Sequence, residues 1–139
     1  MKLTLFTVEE ANRTANEIRP MVERVVEAKQ ELDGLQARID VLSLVAAGAS
    51  SGNPDAEALA QVTERRKELA GELRHRVQLI QKHGCVVKDL ERGLVDFYSV
   101  SGDRLIFQCW QLGENEVSHW HSLEGGYSNR QPLDRSELE

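Results

Sequence analysis

Ile18-Arg-Pro-Met21-Val-Glu-Arg-Val25-Val-Glu-Ala28-Lys-Gln-Glu-Leu32-Asp-Gly-Leu35-Gln-Ala-Arg-Ile39-Asp-Val-Leu42 is the stretch that decides the fold. Its apolar residues at Ile18, Met21, Val25, Ala28, Leu32, Leu35, Ile39 and Leu42 fall in alternating steps of three and four over nearly four heptads. That period lines them along one side of an α-helix, with the spacing of a coiled-coil seam. A seam of this length needs a second helix to cover it. The sequence supplies one after Gly48-Ala-Ser-Ser-Gly-Asn-Pro54, a run of flexible residues, caps and a proline that ends the first helix near Ala47. The second helix is predicted from about Asp55 to His83, with Leu59, Val62, Leu69, Leu73, Val77 and Ile80 as its apolar stripe. Arg66 interrupts the stripe and is expected to extend its head to solvent. Gly84 is placed to end the helix in the left-handed conformation.

Upstream, Thr7-Val8-Glu9-Glu10 is a capping box, in which the hydroxyl and the carboxylate each satisfy a backbone N–H of the first turn. Pro20 removes one helical hydrogen bond and crowds the carbonyl of Asn16, which predicts a kink or break between Asn16 and Pro20. Pro20 to Ala47 is 28 residues and Asp55 to His83 is 29. At about 1.5 Å per residue both span roughly 42 Å, which suits the matched arms of an antiparallel hairpin. Residues 8–19 are then expected as a short arm bent away from the hairpin and packed on whatever follows Gly84.

Beyond Gly84 the period changes from helix to strand. Leu94–Tyr98, Arg104–Gln111 and Glu116–His121 read as strands, with hairpin turns at Ser101-Gly-Asp103 and Gly113-Glu-Asn115. Val86-Val87 is a candidate strand before the turn at Arg92-Gly93, and Lys2–Phe6 a candidate edge. Alternation puts Leu105, Phe107 and Cys109 on one face, the expected core, and Ile106, Gln108 and Trp110 on the other. Val117, His119 and His121 share a face opposite Ser118 and Trp120, while Leu94, Asp96 and Tyr98 alternate with Val95 and Phe97. The predicted fold class is α+β: a long, coiled-coil-like antiparallel helical hairpin carrying a small antiparallel β-meander. Residues 1–133 are expected to form one domain and the charged residues 134–139 a flexible tail.

Composition narrows the function classes. A chain of 139 residues buries a core without disulfides or a structural metal. Cys85 and Cys109, with no C-x-x-C spacing, suit reduced thiols in a cytoplasmic protein. The apolar start is too short for a signal peptide, and Val41–Ala47 falls far below the roughly 20 residues that cross a bilayer, so no membrane association is expected. The net charge of −6 is uneven, with 12 basic and 13 acidic residues in 1–84 but 5 and 10 in 85–139. Binding to a phosphate backbone needs a basic stripe, so nucleic acid is excluded as a partner.

The chemistry-bearing residues are concentrated near the C-terminus: Cys109-Trp110, Gly113-Glu114, Trp120-His121, Gly125-Gly126 and Arg130-Gln-Pro-Leu133. His119 and His121 lie about 6.6 Å apart along one strand face, a spacing that can chelate zinc or another divalent transition metal. Asp96, Glu114 or Cys109 would complete such a site. Asp96 sits in an apolar strand and needs a partner, for which Arg130 is the natural choice in a bidentate pair. Alternatively, Arg130 binds an anion while Asp96 or His121 moves protons. Trp110 and Trp120 suit either a cross-strand aromatic pair, worth roughly 0.2–1 kcal/mol, or packing against the helices. Neither cysteine has a neighbour that marks a nucleophile. There is no Ser-His-Asp ordering, phosphate-binding glycine loop or H-E-x-x-H motif, so the sequence assigns no catalysis.

Phe6-Thr-Val-Glu-Glu-Ala-Asn12, Lys88-Asp-Leu-Glu-Arg-Gly-Leu-Val-Asp-Phe97, Cys109-Trp110, Trp120-His121 and Arg130-Gln-Pro-Leu133 together resemble a bacterial family known as domain of unknown function 2203. The resemblance covers nearly the whole chain and brings no activity with it. It implies a shared role for Asp96, Trp110, Glu114, Trp120, His121 and Arg130, with His119 at a variable position. The leading expectation is therefore a homodimeric interaction or binding module without a cofactor. Its second copy would cover the flanks of the long helices in a four-helix bundle, unless the arm and sheet cover them within one chain. The alternative is a metal- or small-ligand-binding domain, possibly a hydrolase in class, with a site around His121 that uses Asp96, Glu114 and Arg130.

Overall fold

Thr7 starts helix α1 (Val8–Ala46) through the expected box: Glu10 N–H donates to Thr7 Oγ1 at 3.1 Å, and Thr7 N–H to Glu10 Oε1 at 2.9 Å. The computed structural model describes residues 3–47 and 53–133. The Gly48–Gly52 connection, Met1, Lys2 at the start of the expected edge strand, and the expected tail 134–139 lie outside them. Helix α2 (Pro54–Gln81) begins on Asn53, whose side chain accepts from Asp55 N–H, with Pro54 in the first turn where its missing N–H costs nothing. It ends two residues earlier than expected. Gly84 takes φ +95°, and a Cβ there would stand 2.7 Å from Thr4, so the turn out of α2 and the close passage of the N-terminal segment both require glycine.

The expected break at Pro20 does not occur, and α1 continues through it for 39 residues. The buried positions Ala11, Ala15, Ile18, Val22, Val25 and Ala28 run past Pro20 as one stripe. Pro20 and Asn16 are both exposed, so the lost hydrogen bond lies on the solvent side, where water can satisfy the Asn16 carbonyl. Residues 8–19 are therefore the first turns of α1 and no separate arm. At about 1.5 Å per residue α1 spans roughly 58 Å and α2 roughly 42 Å. The pairs His83 with Glu17 and Arg65 with Glu31 set the two helices antiparallel, so the excess length of α1 extends over the sheet.

That sheet has five strands in sequence order, each antiparallel to the next: β1 (Val86–Asp89), β2 (Leu94–Ser101), β3 (Arg104–Gln111), β4 (His119–Ser122) and β5 (Gln131–Pro132). The Gly102-Asp103 hairpin is as expected. The last long strand is not, because β4 begins only at His119. Val117 N–H is taken by Asn12 Oδ1 of α1 at 2.6 Å, and the Ser118 carbonyl accepts from Leu133, which draws the preceding segment out of the ladder with β3. Phe6 forms no strand; its N–H donates to the Tyr98 carbonyl at 2.8 Å, beyond the end of β1, and its carbonyl accepts from Ser99 and Gln108.

Strand register reverses the expected assignment of faces. Val95 lies opposite Trp110 and Phe97 opposite Gln108, and this face meets the helices. The main core joins Val95, Phe97, Trp110 and Val117 to Ile18, Val22, Val25, Leu69, Leu73 and Ile80. The expected core set of Leu105, Phe107 and Cys109 points the other way. Both Phe107 and Cys109 are nonetheless buried there, Phe107 under Lys88 and against Tyr98 and His121, and Cys109 in a cavity shared with Tyr127 of the loop that carries Tyr127–Asn129 as a turn of 3-10 helix. The far face thus has its own cover. It is where the chemistry collects.

Candidate functional site

Period-two alternation and register bring three donor groups together on the far face. Cys109 is the direct partner of Asp96 across β2 and β3, and also of His119 across β3 and β4, while His121 stands opposite Phe107. Asp96 Oδ, Cys109 Sγ and a ring nitrogen of His121 all lie within 4.8 Å of one another. Asp96 is 1% exposed, Cys109 1% and His121 3%. His121 Nε2 is 2.9 Å from Asp96 Oδ2, and Nδ1 is 2.7 Å from the Ser122 carbonyl. A carbonyl can only accept, so Nδ1 carries hydrogen and Nε2 is directed at the carboxylate. Two lone pairs cannot face each other at that distance, so the contact requires a hydrogen or a metal ion between them. Asp96 Oδ1 is buried with no hydrogen-bond partner.

Burial raises the pKa of Asp96 above the usual carboxylate range, against the His121 charge, hydrogen bonds from Cys109 and His121, and the Lys88 charge, which lower it. Burial also pushes the Cys109 thiol up to about 12, with the Asp96 charge and hydrogen bond adding to the rise. In the absence of a cation this thiol is no nucleophile. The three groups form the floor of a cavity of about 260 Å3 walled by Lys88, Asp89, Arg92, Gly125, Gly126 and Tyr127.

Glu114 and Arg130 form a separate cluster. The expected Asp96–Arg130 pair does not form. Arg130 Nη2 donates to Glu114 Oε1 at 2.8 Å and Oε2 at 3.0 Å, because the connection between β3 and β4 folds Glu114 back over the sheet edge. The same carboxylate accepts from Gln111 N–H at 2.6 Å. The Glu114 carbonyl receives Trp110 Nε1 at 3.1 Å and Arg19 at 3.2 Å, and Arg19 also stacks on the Trp110 ring. Burial opposes the Arg130 charge, but the Glu114 bond and charge outweigh it and keep the guanidinium ionised. Glu114 therefore ties β3, the C-terminal loop and α1 together.

The remaining sequence candidates divide between these surroundings. Trp110 is fully buried against the helices, and Trp120, on the same face, packs with Leu133 on Val8 and Ile106. His119 directs Nδ1 to Ser118 Oγ at 3.0 Å and lies 3.6 Å from Glu114, outside the Asp96–Cys109–His121 group. Lys88, Arg92 and Tyr127 were not singled out from the sequence as site residues. Lys88 falls two positions after Val86, the partner of Asp96, so period two puts it on the same face once β1 is in register. Tyr127 had no comparable signal, because it reaches the cavity through an irregular loop.

Among the described residues, no helix is long and apolar enough to cross a membrane. No curated protein and no solved structure matches the chain. A family model described as "Uncharacterized conserved protein (DUF2203)" matches residues 4–133, which include every element of the fold and every residue of both clusters. The chain therefore belongs to the DUF2203 family.

Proposed function

We propose that this protein is a metal-binding domain in which Asp96, Cys109 and His121 hold one divalent transition metal of the zinc class at the floor of the cavity. The observation that carries this reading is the convergence of a carboxylate, a thiol and an imidazole within 4.8 Å, all buried, with Asp96 Oδ1 lacking a partner. An oxygen, a sulfur and a nitrogen donor suit zinc, and three protein ligands leave a fourth position open, as in sites that act on a substrate. His121 is oriented as a metal ligand would be, its Nδ1–H fixed on a backbone carbonyl and Nε2 presented to the other donors. The bound cation supplies the positive charge that burial withholds, so the Cys109 thiol ionises on coordination. His119, which the sequence offered as a ligand, acts in this reading through Glu114 and Ser118 at the margin of the site.

Titration of metal-free protein with Co²⁺ tests this. One equivalent per chain should bind and develop a sulfur-to-cobalt charge-transfer band, which Zn²⁺ then displaces. Cys109→Ser should lose the band, and Asp96→Asn and His121→Gln should each weaken binding by at least about tenfold. The absence of stoichiometric binding, or a band unchanged in Cys109→Ser, would refute the site.

A second reading, self-association through the hairpin, is favoured by a different observation. Val41, Leu44 and Val45, at the α1 end away from the sheet, are 61%, 80% and 56% exposed. A second copy packed side by side would cover them as a helical bundle. Sedimentation showing a monomer at high concentration would remove this reading.

A further inference from the structure

The charged groups on the cavity wall restrict what its open position can take. Residues 85–139 carry 5 basic and 10 acidic side chains, yet two of those five, Lys88 and Arg92, line this one cavity. Lys88 makes no salt bridge among the described residues; its Nζ lies 4.7 Å over the Phe107 ring, which in turn packs on His121. Arg92 reaches its nearest carboxylate, Asp89, only at 3.9 Å, and Asp89 Oδ1 is already occupied by the Glu91 and Arg92 N–H groups. The Arg92 guanidinium instead lies 4.5 Å over the Tyr127 ring, which forms part of the cavity wall.

A divalent metal would have its charge matched by the Asp96 carboxylate and the Cys109 thiolate. Lys88 and Arg92, set against Asp89, then leave the cavity with one net positive charge. At about 260 Å3 it lies below the usual range of small-molecule sites, roughly 300–1,000 Å3. That is room for a compact ion and little else.

From this we infer that the cavity binds a small oxyanion, of phosphate or carboxylate class. One oxygen occupies the fourth metal position, and Lys88 and Arg92 hold the others. Lys88 acts as a point charge and Arg92 as a planar fork of donors, the two complementary ways in which side chains hold oxyanions. The inference rests on the metal reading above.

The probe is inorganic phosphate, with acetate in parallel, added to the cobalt-loaded protein while its visible spectrum is followed. Phosphate should shift the cobalt spectrum saturably. The Lys88→Met/Arg92→Met variant should bind one cobalt with the same sulfur band yet need at least about tenfold more phosphate for the same shift. A stronger response to acetate than to phosphate, lost in the same variant, would assign the carboxylate class. No response to either anion, with cobalt bound normally, overturns the oxyanion inference and leaves the metal site standing. An equal response in wild type and variant overturns it as well, because coordination alone then explains the shift. Failure of cobalt to bind overturns both.

Discussion

Breaking the pair between Glu114 and Arg130 offers a quantitative test of which carboxylate holds the C-terminal loop. Glu114→Gln keeps an oxygen for the Gln111 N–H and removes the charge that receives Arg130 at 2.8 and 3.0 Å. The Arg130 side chain is 10% exposed and that of Glu114 24%. A hydrogen bond to a charged group contributes about 1.5–3 kcal/mol. The partial exposure of the carboxylate points to the lower half of that range, so the substitution should cost about 2 kcal/mol. Arg130→Met should cost a similar amount. The double variant should lose no more than about 3 kcal/mol, which leaves a coupling energy of about 1 kcal/mol. The control is the cycle of Asp96→Asn with Arg130→Met, which meet only through Cys109, whose carbonyl accepts from Arg130 Nη2 at 3.4 Å, so their coupling should stay below about 0.5 kcal/mol. Urea unfolding followed by circular dichroism measures each variant, with an unchanged slope as the condition for comparing midpoints. On heating, about 2 kcal/mol is a shift of roughly 6–10 °C for a domain of this size. Coupling below about 0.5 kcal/mol for residues 114 and 130, or equal coupling for 96 and 130, would refute the assignment.

Other outcomes follow from burial and helix geometry. Burial pushes both the Cys85 and Cys109 thiols up to about 12, so neither should react with Ellman's reagent at pH 8 in folded, metal-free protein; rapid labelling without denaturant would contradict this. The pKa of Asp96 is raised in the folded chain, whereas unfolded Asp titrates near ~3.9. Its contribution to stability is therefore full below about pH 4 and is lost as pH rises through the raised value. Between pH 4 and 8 wild type should lose stability relative to Asp96→Asn, and a relative gain over that range would count against the buried-carboxylate account. Pro20 is exposed in an unbroken helix, so Pro20→Ala should stabilise by about 1–3 kcal/mol in a thermal melt; a loss of stability would mean that the ring makes a contact the helix depends on.

How much of this was legible beforehand depended on whether a feature is local or set by strand register. The long helix through Ile18–Leu42, the capping box at Thr7 and the Gly102-Asp103 hairpin are local, and each appears where the spacing puts it, with α1 buried at Ile18, Val25 and Ala28 and at Val22 beside the expected Met21. Pro20 misled because a local penalty was weighed without the continuous buried stripe that outweighs it. Alternation showed that Leu105, Phe107 and Cys109 share a face but could not say which face meets the helices. That depends on where α1 lies, and its position is set by bonds such as Asn12 to Val117. The site was half visible for the same reason. Asp96, Cys109 and His121 were all marked as candidates, yet that Arg130 pairs with Glu114 and not Asp96 depends on a loop conformation that no short-range pattern encodes. β5 escaped notice because two residues are too few to show a period.

The contacts of the N-terminal segment also dictate an order of events during synthesis. Phe6 is bonded to side chains 93 and 102 residues away, and Asn12 to the backbone 105 residues away. Most of α1 can find α2 once the chain has been made to about residue 81. The first turns of α1 cannot: Val8 waits for Ile106 and Asn12 for Val117. Until the last strands leave the ribosome, Val8 and the Asn12 side chain lack these partners. Contacts this distant in sequence slow folding, because their loop-closure cost precedes their gain. Completion of the sheet is thus the step that covers Val8 and fixes the start of α1.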